Sequence, residues 1–234
     1  MKNAPIVFLP GFDGDAPLRR DFMDMLGQHH AVMGVSYPNH PLGTLDAYRT
    51  HAMAHVPVDW KPVLIGESFG GLIAARWAAL DPRVRGVVLC AAFARNPVSV
   101  AAELGAAMPG LVKLAPRLTM PFALASRDPL RAKWSNGLTR SLSALRNDVV
   151  AERLRIIAEE DVGPLLGRMH APVVVVQFEG DEVVGPAARD HLESVCHNAQ
   201  VVRLPGPHFA IETRPRECAQ AIMERIRTLA PKKA

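Results

Sequence analysis

The feature that most constrains this chain is the segment GESFGG at positions 66–71, a Gly-x-Ser-x-Gly pattern between two regular elements. The apolar run at 62–65 predicts a buried strand before it, and the proline-free segment 72–80 predicts a helix after it. A sharp strand-to-helix turn holds one side chain in a strained backbone conformation, and flanking glycines leave room around that side chain. The pattern therefore predicts that the Ser68 hydroxyl stands at the carboxyl end of a strand and the positive end of a helix.

Apolar strand patterns alternate with helical patterns along most of the chain. Strands are predicted at 4–9, 31–36, 62–65, 84–90, 173–178 and 201–204, and helices at 18–26, 44–55, 72–80, 186–195 and 214–229. Strands that are apolar on both faces and alternate with helices predict an α/β fold with a parallel sheet of six strands, covered by helices on both faces.

The interval 93–171 interrupts this alternation, because it contains no convincing strand pattern. Leu138, Leu142, Leu145 and Val149 recur there at helical spacing. We therefore predict that 1–92 and 172–234 form the core and that 93–171 is an inserted helical cap.

Composition excludes several classes of protein. An apolar content of 49% with 21% charged residues is typical of a globular domain, and a net charge of +4 does not by itself indicate nucleic-acid binding. The three cysteines form no Cys-x-x-Cys pair, so neither a disulfide framework nor a zinc site is indicated. His51 and His55 lack the glutamate of a His-Glu-x-x-His motif, so no metal is predicted. The N-terminal apolar run is too short for a signal peptide, which predicts a cytoplasmic protein without a membrane span.

Polar side chains that can assist a serine follow two later strands. An acidic cluster, Glu179, Asp181 and Glu182, comes directly after the strand at 173–178, and His208 follows the last strand. The carboxyl ends of parallel strands are where ligands and catalytic groups of open α/β sheets gather. A free serine hydroxyl is a weak nucleophile, and a histidine oriented by a carboxylate would activate it.

These motifs, in the order serine, acid, histidine, resemble those of the α/β-hydrolases, and in particular of small bacterial carboxylesterases with a helical cap. The resemblance implies an α/β-hydrolase fold without the antiparallel second strand. It implies Ser68 as nucleophile, His208 as base and Asp181, which follows Gly180, as the acid. It also implies an oxyanion hole built from the backbone N–H groups of Phe12 and Phe69, with Pro10 in place of the usual histidine before Gly11.

The predicted cap is strongly basic, with eight basic and two acidic residues between Arg95 and Arg146. It resembles the cap of esterases that act on acyl groups, including pimeloyl-carrier-protein methyl esterase, and a basic surface would steer an acidic carrier protein. A solvated helical face is the alternative interpretation. Candidate substrate-binding residues are Gly11, Phe122, Arg127, Arg131, Trp134 and Arg140.

These patterns together predict a carboxylic-ester hydrolase without a metal or cofactor, acting on small-molecule or carrier-bound acyl esters. An acyl-coenzyme A or acyl-carrier thioesterase with the same three residues is the nearest alternative, and a non-catalytic ligand-binding relative is another. Glu67, beside the predicted nucleophile, would either polarise the mouth of the site or be buried with a partner, and the sequence does not choose between these.

Overall fold

The sheet has the predicted number and direction of strands. A computed structural model describes residues 4–97 and 129–229, with side chains in the second range from residue 136 onward. Its strands are β1 (Ile6–Leu9), β2 (Val32–Gly34), β3 (Val63–Glu67), β4 (Gly86–Cys90), β5 (Val173–Phe178) and β6 (Gln200–Leu204). They form one parallel sheet in the order β2-β1-β3-β4-β5-β6, so the predicted six-stranded parallel sheet is confirmed.

Helices cover both faces of the sheet, as predicted. They are α1 (Arg20–Gly27), α2 (Leu45–Ala54), α3 (Phe69–Leu80), α4 (Pro129–Ala144), α5 (Asn147–Glu159), α6 (Gly163–Gly167), α7 (Pro186–Val195), α8 (Ala210–Thr213) and α9 (Pro215–Thr228). Thr44 caps α2, because its hydroxyl oxygen accepts a hydrogen bond from the N–H of Ala47 at 3.1 Å.

The start of α3, at Phe69 rather than residue 72, and the start of α1 differ most from the sequence-based prediction. A single α-helix was expected from residue 18, but a short 3-10 helix, Ala16–Arg19, precedes α1. Pro17 lies in its first turn, where a missing N–H costs nothing. The tight turn leaves Arg19 directed into the interior, with 2% of its surface exposed, where it pairs with carboxylates described below.

Alternate residues of each strand contribute to separate core layers on the two faces of the sheet. On β1, Val7 and Leu9 pack on the face that α2 and α3 cover, whereas Ile6 and Phe8 pack on the face that α1 and α9 cover. This alternation explains why the strands read as continuous apolar runs, since a strand buried on both faces has no polar side.

The described part of the interval 93–171 consists of α4, α5 and α6 and contains no strand. Apolar residues of α4 and α5 form a small core of their own, against which Phe12 and Phe209 pack. Val162 and Leu166, by contrast, belong to the main core beside α3. The division of the chain into core and cap remains a prediction.

Candidate active site

The turn between β3 and α3 holds Ser68 in the strained conformation that the glycine pattern predicts. Ser68 has φ 50° and ψ −116°, a region that residues with a side chain seldom adopt. A side chain at Gly70 would collide with the backbone oxygens of Leu9 and Pro10, and one at Gly66 would collide with the Gly70 carbonyl. The flanking glycines are therefore required by close backbone approach. Ser68 keeps 9% of its surface exposed.

The three side chains expected to act together lie in one hydrogen-bonded row. His208 Nε2 is 3.1 Å from Ser68 Oγ, and His208 Nδ1 is 2.8 Å from Asp181 Oδ2. The other carboxylate oxygen of Asp181 accepts hydrogen bonds from the N–H groups of Val183 at 2.9 Å and Val184 at 2.8 Å. Because these bonds fix the carboxylate, only Oδ2 is left to receive the imidazole.

The three candidate acids that follow β5 differ in how far they are buried. Asp181 and His208 are 6% and 4% exposed, so their hydrogen bond is shielded from water. Glu179 and Glu182 are exposed to solvent. The structure therefore brings Asp181, and neither neighbouring glutamate, into contact with the imidazole.

The loop after β1 has its polar groups anchored by side chains from three other parts of the fold. The hydroxyl of Tyr37 donates to the Pro10 carbonyl at 2.9 Å, and Arg153 Nη1 donates to the Phe12 carbonyl at 2.6 Å. The Gly11 N–H donates to a carboxylate oxygen of Glu67 at 3.3 Å. The Gly11 carbonyl accepts a bond from the N–H of Gly14 at 3.1 Å.

Neither the N–H of Phe12 nor that of Phe69 has a hydrogen-bond acceptor among the described residues. In a trans peptide the N–H and C=O point in opposite directions, so the Gly11–Gly14 bond turns the Phe12 N–H away from Gly14. Phe69 is the first residue of α3, and an N–H in the first turn of a helix has no intrahelical acceptor. These are the two N–H groups that the sequence suggested as oxyanion donors.

Glu67 is buried with a partner, which decides the question that the sequence left open. Arg19 Nη2 donates to Glu67 Oε1 at 3.1 Å, and Arg19 Nε lies 2.8 Å from Glu67 Oε2. The same guanidinium pairs with Asp13 and lies 2.9 Å from Glu212 Oε1. All four side chains are 1% exposed. Burial alone would lower the pKa of Arg19, but the surrounding carboxylates raise it well above its usual value, so Arg19 stays charged.

A second buried arginine joins α5 to this loop. Arg153 on α5 is fully buried, its Nε donates to the hydroxyl of Tyr48 at 3.1 Å, and its guanidinium lies over the rings of Tyr37 and Tyr48. Its neighbour Glu152 accepts bonds from Tyr48 and from the N–H groups of Leu42 and Gly43. Burial raises the pKa of Tyr48 to about 12, so this tyrosine remains a neutral donor.

The remaining candidate substrate-binding residues are placed only in part. Gly11 lies beside the serine, since a Cβ built on it would be 3.6 Å from Ser68 Cβ. Arg140 is exposed on α4. Phe122 and Arg127 lie outside the described residues, as do the side chains of Arg131 and Trp134.

Sequence reasoning missed Arg19, Asp13, Glu212 and Arg153. Only Arg153 gave a signal, as a charged residue in the apolar pattern of α5. In the described ranges no group of three His, Cys, Asp or Glu side chains is arranged to hold a metal ion. None of the helices described is both long and apolar enough to span a membrane.

Comparison with known proteins decides the family. Residues 6–221 match the family model described as the alpha/beta hydrolase family. The chain belongs to that family. Membership supports a hydrolase role, and the predicted α/β-hydrolase fold is confirmed.

Solved structures of other alpha/beta hydrolases superpose over nearly the whole chain. The enol-lactonase from Burkholderia xenovorans LB400 has a TM-score of 0.80 and 20% identity, covering 96% of this chain and 92% of the other. A thermophilic esterase from Thermogutta terrifontis has a TM-score of 0.80 and 21% identity, with 97% and 91% covered. The esterase RhEst1 from Rhodococcus sp. ECU1013 has a TM-score of 0.77 and 21% identity, with 97% and 92% covered. At these identities the likeness shows the fold alone.

One curated relative is similar in sequence. Polyketide synthase ThaQ from Burkholderia thailandensis is 26% identical over 230 residues. The match covers 88% of this chain and 11% of that protein, so the chain spans about a ninth of the relative's length.

Proposed function

We propose that this alpha/beta hydrolase is a serine carboxylesterase that acts through an acyl-enzyme intermediate. The observation that carries the proposal is the position of His208, whose two ring nitrogens are within hydrogen-bond distance of Ser68 Oγ and Asp181 Oδ2. An imidazole between a hydroxyl and a carboxylate is the arrangement that activates serine as a nucleophile.

Each residue has a defined task in the proposed reaction. His208 accepts the Ser68 proton as the serine oxygen attacks the ester carbonyl, and Asp181 stabilises the imidazolium that forms. The N–H groups of Phe12 and Phe69 bind the negatively charged carbonyl oxygen of the tetrahedral intermediate. His208 then protonates the leaving alcohol, and a water molecule activated by the same imidazole hydrolyses the acyl-enzyme.

The insertion supports a substrate with an apolar acyl group. The apolar core of α4 and α5 packs against Phe12 and Phe209, which adjoin the proposed oxyanion donor and His208. An apolar surface at this point would accommodate a carbon chain rather than a charged group. Phe122, Trp134 and Gly11 remain the candidates for contact with that chain.

A thioesterase acting on acyl-coenzyme A or an acyl-carrier protein is the second candidate, because the same three residues cleave either bond. Similarity to a segment of a polyketide synthase favours this candidate. A non-catalytic, ligand-binding role is the third, and the row of hydrogen bonds from Asp181 to Ser68 argues against it.

We expect a fluorophosphonate to label wild-type protein at Ser68 with one label per chain, because such reagents react with an activated serine. Peptide mapping by mass spectrometry identifies the labelled residue. Initial rates for p-nitrophenyl esters of increasing chain length, measured beside acyl-coenzyme A thioesters, then separate esterase from thioesterase. An unlabelled Ser68 together with no turnover of any ester or thioester would favour the non-catalytic role.

The basic segment between Arg95 and Arg146 predicts how a carrier-bound substrate responds to salt. Attraction to an acidic carrier weakens as the Debye length falls from about 30 Å at 0.01 M to about 8 Å at 0.15 M ionic strength. We expect kcat/KM for an acyl-carrier-protein substrate to fall steeply over this range, whereas kcat/KM for p-nitrophenyl butyrate stays nearly constant. Stopped-flow or initial-rate assays at several salt concentrations measure both.

Charge reversal tests whether the insertion is responsible for that salt response. Reversal at Arg127, Arg131 and Arg140 should flatten the salt dependence for the carrier-bound substrate and leave the small ester unaffected. Reversal of three exposed arginines outside the insertion, Arg20, Arg85 and Arg216, is the matched control and should leave the dependence unchanged. Equal salt responses for the two substrates would favour the alternative interpretation, in which the basic segment is a solvated helical face.

A further inference from the structure

Glu67, the residue next to the proposed nucleophile, is one of the side chains that anchor the loop after β1. Its carboxylate accepts the Gly11 N–H at 3.3 Å, one peptide before the N–H of Phe12. Gly11 thus links two peptide planes, of which one is held by Glu67 and the other carries a proposed oxyanion donor. Glu67 is the last residue of β3, and Ser68 follows it directly. Contact with Glu67 therefore fixes the proposed donor relative to the nucleophile.

Arg19 keeps the Glu67 carboxylate both fixed and neutralised. Two nitrogens of Arg19 lie 2.8 and 3.1 Å from the two oxygens of Glu67. Arg19 is itself held by Asp13 and by the carbonyl of Asp15, 3.3 Å from its Nη1. Without this cation, a buried carboxylate adjacent to Ser68 would oppose the negative charge that develops on a substrate carbonyl.

Glu212 links the cluster to the loop that carries His208. It lies on α8, which begins two residues after His208, and its Oε1 is 2.9 Å from Arg19 Nε. Burial and, next, the charge of Glu67 raise the pKa of Glu212 well above its usual value, which favours the protonated form of this carboxyl group. The cluster of Asp13, Arg19, Glu67 and Glu212 therefore joins the loop after β1, the end of β3 beside Ser68 and the helix that follows His208.

We propose that Glu67 is a positioning residue that sets the oxyanion donor of Phe12 relative to Ser68 by accepting the Gly11 N–H. The inference rests on the proposed esterase function. Its physical basis is that an oxyanion donor acts only at hydrogen-bond distance from the developing charge, so a small displacement of the loop weakens transition-state binding more than substrate binding.

Two substitutions distinguish this role from a purely electrostatic or structural one. Glu67→Gln removes the charge but keeps an acceptor of the same length, whereas Glu67→Asp keeps the charge and withdraws the acceptor from Gly11 by one methylene. We expect kcat for a p-nitrophenyl ester to fall by about 30- to 100-fold in Glu67→Asp and by less than about tenfold in Glu67→Gln, since complete loss of a donor costs about 10²–10³. KM should stay within about threefold of wild type in both variants.

Glu212→Gln is the matched control. Glu212 is equally buried in the same cluster, has a pKa well above its usual value, and forms no hydrogen bond with Gly11 among the described residues. Its kcat should remain within about threefold of wild type. Thermal unfolding reports stability, and rates are expressed per Ser68 titrated by fluorophosphonate, so an unfolded fraction does not lower the measured kcat.

The amide proton resonance of Gly11 gives a readout that does not depend on turnover. We expect it to shift upfield in Glu67→Asp, where the hydrogen bond is lost, and to stay close to wild type in Glu67→Gln. The reverse order of activities, or equal kcat values for the two variants, would overturn the positioning role while leaving the esterase intact. A wild-type protein that hydrolyses no ester or thioester would overturn the proposed function, and this inference with it.

Discussion

Replacement of Ser68 by alanine is expected to lower ester turnover by a factor of about 10⁴ or more, because no other group at this position can form the acyl-enzyme. The fold should be unaffected, since alanine keeps the Cβ that the turn already accommodates. Ester hydrolysis by the purified variant, followed with a p-nitrophenyl substrate, measures the loss. Circular dichroism and thermal unfolding establish that the variant is folded.

Ser68→Gly is the matched control for backbone strain. The positive φ of Ser68 costs about 1–3 kcal/mol in a residue with a side chain, and glycine avoids most of that cost while losing about 0.5–1 kcal/mol of chain entropy. We therefore expect Ser68→Gly to be as inactive as Ser68→Ala and to unfold at the same or a higher temperature. A folded variant of either kind with turnover near that of wild type would show that Ser68 is not the nucleophile.

Replacement of Asp181 by asparagine is expected to lower kcat by about 10⁴-fold, the size of effect seen when the imidazole of such a triad is held in the wrong tautomer. Asp181 Oδ1 accepts the N–H groups of Val183 and Val184, so the amide oxygen of asparagine should take that place. Its NH₂ group would then face His208 Nδ1 as a donor. The imidazole would have to carry its proton on Nε2, where it could not accept the proton of Ser68.

Glu179→Gln and Glu182→Gln are the controls for this substitution. Both residues are exposed neighbours of Asp181 in the same loop, so each variant should keep kcat within about threefold of wild type. Steady-state kinetics across pH, with the folded fraction monitored by circular dichroism, separates lost chemistry from lost structure. If Glu179→Gln or Glu182→Gln proved the damaging change, the loop after β5 would present a different acid to His208 from the one we infer.

The elements that could be predicted from the sequence are those whose signal is local. β5 and α7 match the predicted ranges, because an apolar run buried on both faces and a helix with proline in its first turn each have a distinct pattern. The glycines around Ser68 were informative for the same reason, since each one avoids a nearby backbone collision. The start of α1 was less accurate, because a 3-10 turn and a first α-helical turn share the same preferences.

The buried charges could not be predicted, because their partners are distant in the sequence. Arg19 lies only six residues from Asp13 in the chain, but it contacts Glu67 and Glu212 only after the sheet has formed. Each of these residues is charged, and charged residue types usually lie on the protein surface. They are buried because their charges pair across segments distant in the sequence. The hydrophobic periodicity of the sequence carries no signal of such pairing.

The contact between Arg153 and the Phe12 carbonyl limits how the segment between β4 and β5 can be exchanged. A hydrolase could be given a new substrate range by transplanting such a segment from a relative, but here one of its side chains completes the loop beside the serine. A transplant without an arginine at this position would leave the Phe12 carbonyl and the Tyr37–Tyr48 ring pair unsupported. Exchange of this segment would consequently also remove support from the loop after β1, and a chimera that keeps this support would have to retain Glu152 and Arg153 from the parent.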